Sequence, residues 1–145
     1  MTAVSETKWL GSGEMSEMLN SEPDVQKIMT ACSLCPRECR IDRSAGKKGF
    51  CGMDATVRLA RAALHMWEEP CISGTKGSGS VFFSGCGLRC CFCQNHDIAI
   101  GSRGIAVTVE RLSEIFLELK EKGAANINLV TGAHYVPQII EALEM

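Results

Sequence analysis

Three cysteines in one short stretch of the chain have the spacing to bind a reactive metal cluster. Cys86, Cys90 and Cys93 follow the pattern C-x3-C-x2-C within residues 84–95. Three thiolates on one loop can hold three irons of a cubane [4Fe–4S] cluster, whereas a ferredoxin-type carrier uses four cysteines for each cluster. Structural zinc sites also prefer four protein ligands. The spacing therefore predicts a cluster whose fourth iron is open for chemistry.

The residues around this triplet predict how it is positioned. Cys91 is adjacent to Cys90, and neighbouring side chains in an extended loop point apart, so we interpret Cys91 as a small packing residue. The β-branched and aromatic run at residues 81–83 predicts a buried strand that leads into the loop. Gly85 and Gly87 are typical of a tight turn at its end.

Four further cysteines precede this strand with the pattern C-x2-C-x3-C-x11-C. Thiolates at such spacings usually bind metal, and a closed zinc site or an auxiliary iron–sulfur cluster would use the same number of ligands. Both alternatives stay open. Nearby basic residues either solvate the segment or offset the charge of a thiolate-bound metal. The cysteines are Cys32, Cys35, Cys39 and Cys51, and the basic residues are Arg37, Arg40, Arg43, Lys47 and Lys48.

Composition limits the classes of function. The chain has 145 residues, enough for one modest domain, and a hydrophobic content of 46% permits a core. A net charge of −2 gives no electrostatic case for binding nucleic acid or a membrane surface. No apolar run approaches the ~20 residues of a membrane helix. Nine cysteines, with Cys71 left unassigned, and no export signal predict reduced thiols and a cytoplasmic location.

Hydrophobic periodicity gives the elements that must position these cysteines. Residues 57–67 alternate like a strand, although their length also allows a helix, and residues 97–104 are predicted to be irregular. Thr108 is a helix cap, Leu112, Ile115, Phe116 and Leu119 mark the buried stripe, and Gly123 ends the helix. A strand at 126–131 and a helix at 136–143 follow. Strand, helix, strand and helix in this order predict an α/β fold with a parallel sheet.

The cysteine triplet resembles the signature C-x3-C-x-aromatic-C of the radical S-adenosylmethionine (radical SAM) superfamily, with Phe92 in the aromatic position. Residues 92–95 and 68–86 resemble a group of uncharacterised proteins related to pyruvate formate-lyase activating enzyme. The resemblance extends over about residues 32–140.

The resemblance implies a truncated partial (β/α) barrel of the radical SAM type, preceded by a cysteine-rich loop segment. Residues 1–31 would form a polar helical lead-in, residues 32–73 the cysteine-rich metal-binding segment and residues 74–145 the start of the barrel. Because there is room for only two βα units, we expect an N-terminal portion of a longer enzyme, or a truncated gene product. Alone it would bind a cluster but cleave S-adenosylmethionine poorly.

The resemblance also implies a reaction and a cofactor site. The cluster would reductively cleave S-adenosylmethionine to a 5′-deoxyadenosyl radical that abstracts hydrogen from a substrate, such as a glycine in a glycyl-radical enzyme. A flavodoxin or ferredoxin-type protein would donate the electron. Phe92 would pack near the adenine, and Asn95, Thr131 and Gly132 would belong to the cofactor site. His134 is either a substrate-side group or a surface-loop histidine.

Two rival functions follow from the same cysteines. The chain could be a non-catalytic binding module in which both cysteine groups hold structural zinc or iron–sulfur centres. It could also be an electron carrier that never cleaves S-adenosylmethionine.

Overall fold

The computed structural model describes residues 25–145, so the predicted helices before residue 25 lie outside the described residues. The α-helices are α1 (Val25–Thr30), α2 (Pro70–Ser73), α3 (His96–Ala99), α4 (Val109–Glu121) and α5 (Val136–Glu144), and a 3₁₀ helix spans Gly132–Tyr135. The strands are β1 (Arg58–His65), β2 (Ser78–Phe83), β3 (Ile105–Ala106) and β4 (Ile127–Val130).

The four strands form one open mixed sheet in the order β3-β1-β2-β4. Strand β1 is antiparallel to both β2 and β3, whereas β2 is parallel to β4 with Val81 opposite Leu129. The predicted α/β class and the parallel pairing are confirmed. The described residues do not form a barrel, because β1 occupies the edge of β2 opposite β4 and runs antiparallel to it.

The pairing of β1 decides two further points of the sequence analysis. Residues 57–67, for which strand and helix were both allowed, form a strand because β2 offers it an edge. Since β1 lies within the predicted cysteine-rich segment, that segment shares its sheet with the region after residue 74.

The prediction of irregular structure at residues 97–104 is wrong at its start, where α3 makes one helical turn.

Helix α4 packs against the sheet and α5, as its apolar stripe predicts. Thr108 precedes it in an extended conformation and its hydroxyl accepts a hydrogen bond from the Arg111 backbone N–H, at 3.2 Å. Gly123 follows the helix with φ +86°, a conformation that favours glycine. The helix buries Leu112, Ile115, Phe116 and Leu119 against Val81 and Phe83 of β2 and Ile139 of α5.

Replacing the helix cap tests this local account. Thr108→Ala removes the hydroxyl that accepts the Arg111 N–H, so the free energy of unfolding should fall by about 1 kcal/mol. Urea denaturation measures the change. Thr75→Ala, at an exposed turn outside the helices, is the matched control and should change stability by less than about 0.5 kcal/mol. An equal loss in both variants would contradict the capping role.

Within residues 25–145, no helix has the length and apolar character required to cross a membrane.

Candidate metal and cofactor site

The predicted site residues meet where the two parallel strands end. The cysteine loop, residues 84–95, follows the carboxyl end of β2, and Thr131 and Gly132 follow the carboxyl end of β4. Thr131 has φ +60°, and its hydroxyl donates to the Phe83 carbonyl oxygen at 2.8 Å. The turn after β4 is thereby fixed to the last residue of β2. Ligands in parallel α/β folds bind at this edge of the sheet.

A cavity of about 340 Å³ lies at this edge and combines three separate parts of the chain. Cys35 comes from the first cysteine group, Cys86 and Leu88 from the loop after β2, and Thr131 and His134 from the turn after β4. The structure therefore brings members of both cysteine groups and the predicted cofactor residue Thr131 around one cavity.

The cysteine triplet occupies a short, partly exposed loop. Cys86 and Cys93 are half-buried and Cys90 is exposed. The Cys93 backbone N–H donates to the Cys90 carbonyl oxygen at 3.3 Å, and the Leu88 N–H donates to Cys86 Sγ at 3.4 Å. Across residues 25–145, no three Cys, His, Asp or Glu side chains are arranged as a ready-made metal site. The three thiols share one loop, but metal binding would have to draw them together.

Gly85 explains why this loop turns immediately after β2. Its φ of +84° is unfavourable for other residues, and a Cβ there would lie 2.7 Å from the Cys51 carbonyl oxygen. That close approach joins the two cysteine groups, because the Cys86 backbone N–H donates to the same carbonyl oxygen at 3.3 Å.

The first cysteine group is more deeply buried. Cys32 and Cys51 are 4% and 6% exposed, while Cys35 and Cys39 are half-buried. Burial raises the pKa of the Cys51 thiol, and any negative charge on Cys32 and Cys39 raises it further, whereas the Arg43 cation lowers it. Cys32 and Cys39 therefore each lie near enough to Cys51 to influence its charge.

Both groups fit thiolate-bound metals by the chemistry of their donors. Each presents only thiols, which suit zinc or iron–sulfur clusters rather than magnesium or calcium. Four thiols would complete a zinc site, and three thiols would leave one iron of a [4Fe–4S] cluster open.

Within the cysteine loop, Cys86, Gly87 and Leu88 line the cavity, whereas the predicted ligands Cys90 and Cys93 do not, and neither do Cys91, Phe92 and Asn95. Phe92 is 87% exposed, and half-buried Asn95 precedes α3. Neither lines the cavity that contains Cys86 and Thr131. Cys91 is exposed, so its interpretation as a packing residue is wrong: this stretch of loop has no core to pack against.

His134 is buried at the back of the cavity, so the surface-loop alternative is wrong. It is 3% exposed, and its Nε2 lies 2.9 Å from the Ser84 carbonyl oxygen. Burial lowers the pKa of its imidazole to about 4, and the nearby Arg43 cation lowers it further, while the bond to Ser84 opposes the shift. His134 is therefore a neutral imidazole whose Nε2–H donates to the Ser84 carbonyl oxygen.

Sequence reasoning missed the burial of Arg43, a residue expected to be solvated or close to a metal. Its side chain is fully buried and hydrogen-bonds the carbonyl oxygens of Asp54 and His134. Arg43 lies among polar and charged residues in the sequence, and no periodic pattern distinguishes it from Arg40 or Lys47. Its contacts form only once the cysteine segment and the turn after β4 meet.

Comparison with known proteins finds a distant relative. The chain is 27% identical over 135 residues to uncharacterized protein MJ0674 of Methanocaldococcus jannaschii, a match that covers 88% of the chain and 38% of the relative. No protein-family model matches the chain. No solved structure matches it. The chain is thus similar to part of a longer archaeal protein whose name states no activity.

Proposed function

We propose that this chain is a radical SAM iron–sulfur protein. Cys86, Cys90 and Cys93 would hold a [4Fe–4S] cluster, and S-adenosylmethionine would occupy the adjoining cavity. The first cysteine group would hold a second centre, either zinc or iron–sulfur. In this proposal the open sheet forms part of a partial (β/α) barrel.

One observation carries the proposal: Cys86 of the three-cysteine loop and Thr131 of the turn after β4 line one cavity at the carboxyl ends of β2 and β4. A structural zinc module needs its cysteines close to one another but needs no cavity beside them. The cavity next to a loop with one ligand too few for a closed site favours a bound small molecule.

When bound, the cluster and S-adenosylmethionine would supply one-electron cleavage of the sulfonium to methionine and a 5′-deoxyadenosyl radical. The chain itself supplies position and shelter. Thr131, held to Phe83, fixes the cavity wall, and Leu88 contributes apolar surface. Neutral His134 adds no positive charge beside a sulfonium cation, which a protonated imidazole would repel. We propose a flavodoxin or ferredoxin-type protein as the electron donor and a glycine in a partner protein as the hydrogen source.

The test is anaerobic reconstitution with iron and sulfide, followed by metal analysis and electron paramagnetic resonance (EPR) spectroscopy of the dithionite-reduced protein. We expect a brown protein whose EPR signal changes when S-adenosylmethionine is added, with little or no 5′-deoxyadenosine formed by this chain alone. A colourless, zinc-only protein would favour the structural module. An iron–sulfur signal indifferent to S-adenosylmethionine would favour the electron carrier. Either result would overturn the proposal.

A further inference from the structure

Arg43 is a buried cation without a carboxylate partner among residues 25–145. It is 0% exposed. Its Nη2 donates to the Asp54 carbonyl oxygen at 2.6 Å and its Nε to the same oxygen at 3.2 Å, while Nη1 donates to the His134 carbonyl oxygen at 2.6 Å. Carbonyl dipoles satisfy these donors but leave a net positive charge in the interior. Burial of an unpaired charge is unfavourable, so such a group usually faces a negative one.

Arg43 faces the ring of Tyr135, with its guanidinium carbon 5.5 Å from the ring centre, and the buried Cys32 of the first cysteine group. The ring face offsets only part of a full charge, and Nη1 also points to Cys32 Sγ at 3.8 Å. Thiols are neutral without metal, but on binding they lose protons and become thiolates. Four thiolates around a divalent metal would carry a net charge of −2. A fixed guanidinium beside one sulfur would offset part of that charge.

We propose that Arg43 is the charge-compensating hydrogen-bond donor of a metal centre formed by Cys32, Cys35, Cys39 and Cys51. The inference rests on the second metal centre of the proposed function and assigns it a positioning residue. Arg43 donates to the bound Cys32 thiolate while its other N–H groups hold it to Asp54 and His134. The His134 ring hydrogen-bonds the Ser84 carbonyl oxygen. Arg43 is therefore connected, through His134, to the start of the second cysteine loop.

A purely structural role for Arg43 makes a different prediction. As a clamp between Asp54 and His134, it would affect the stability of the fold but not the electronic state of bound sulfur. A hydrogen bond to a thiolate lowers the energy of the sulfur lone pairs. The thiolate-to-metal charge-transfer band of a bound cobalt ion reports that energy directly, and it should move to longer wavelength when the donor is lost.

The experiment uses the full chain carrying Cys86→Ser, Cys90→Ser and Cys93→Ser, so that the first group is the metal site under test. Co²⁺ is titrated anaerobically, with Zn²⁺ as competitor. We expect Arg43→Met to weaken Co²⁺ binding by about 10–100-fold and to move the charge-transfer band to longer wavelength. Arg43→Lys, which keeps the charge, should recover part of the affinity. Arg40→Met is the matched control, because Arg40 is exposed beside Cys39 and pairs with Glu38, and it should bind like its parent.

The outcomes separate this inference from the proposal beneath it. If the parent chain binds neither Co²⁺ nor Zn²⁺ through thiolates, the first cysteine group forms no metal centre. This inference and the second centre of the proposed function then both fail. If the parent binds Co²⁺ and Arg43→Met binds equally with an unmoved band, the inference alone is overturned. Cooperative urea unfolding checks that each variant folds. If Arg43→Met does not fold, Arg43→Gln decides, because glutamine removes the charge but keeps N–H donors for the carbonyl oxygens: weaker Co²⁺ binding than in the parent supports the inference, and equal binding contradicts it.

Discussion

Alanine at Cys86, Cys90 or Cys93 is expected to abolish the cluster that responds to S-adenosylmethionine. Each change leaves two of the three predicted ligands, and two cannot hold three irons of a cubane. We expect loss of the S-adenosylmethionine-induced change in the EPR spectrum. The loss should be complete in each variant. Metal analysis should still find whatever centre the first cysteine group binds.

Cys91→Ala is the matched control for this experiment. It removes a thiol of equal chemistry and similar exposure, directly beside Cys90 in the same loop. The cluster signal should persist at the parent's level. If Cys91→Ala loses as much iron as Cys90→Ala, the ligand assignment is wrong and Cys91 belongs to the site.

The sequence predicted the elements that depend on local patterns. Helix α4 has a capping hydroxyl, a buried stripe and a terminal glycine, and all three act within one or two helical turns. The apolar run at residues 81–83 predicted the second half of β2, whereas Ser78, Gly79 and Ser80 are buried in the same strand without an apolar signal. Each of these signals can be interpreted without knowledge of the rest of the fold.

The arrangement of the sheet could not be predicted in the same way. Whether residues 57–67 formed a strand depended on an available edge, which β2 provides on the side opposite β4. Nothing in the local sequence states that pairing or its antiparallel direction. The resemblance in the cysteine motif predicted a partial barrel and not an open mixed sheet. That motif describes the loop after one strand and gives no information about which strands pair with it.

The site shows the same division between spacing and tertiary contact. The spacing of the cysteines identified two groups, and the structure places a member of each on one cavity. The buried positions of Arg43 and His134 follow from contacts across 91 and 50 residues of sequence, made to the His134 carbonyl and the Ser84 carbonyl respectively. Arginine and histidine have no burial signature of their own, so the burial of neither could be predicted from the sequence.

His134 should make the stability of the fold depend on pH. Its pKa falls from 6.5 in the unfolded chain to about 4 in the fold, because burial disfavours the imidazolium. Between these values the unfolded chain binds more protons, so the free energy of unfolding falls as the pH is lowered through 6.5 towards 4. The total loss would be about 3 kcal/mol, of which about 2 kcal/mol should appear between pH 7 and pH 5. Urea denaturation of the metal-free, reduced chain at both pH values measures it.

His134→Gln isolates this contribution, because glutamine can donate to the Ser84 carbonyl oxygen but does not titrate. The variant should be less sensitive to acid than the parent by about 2 kcal/mol over the same interval. His96→Gln is the matched control, since the His96 side chain is 65% exposed. It should keep the parent's pH dependence. If His134→Gln and His96→Gln respond to acid alike, then burial does not hold His134 neutral in the fold.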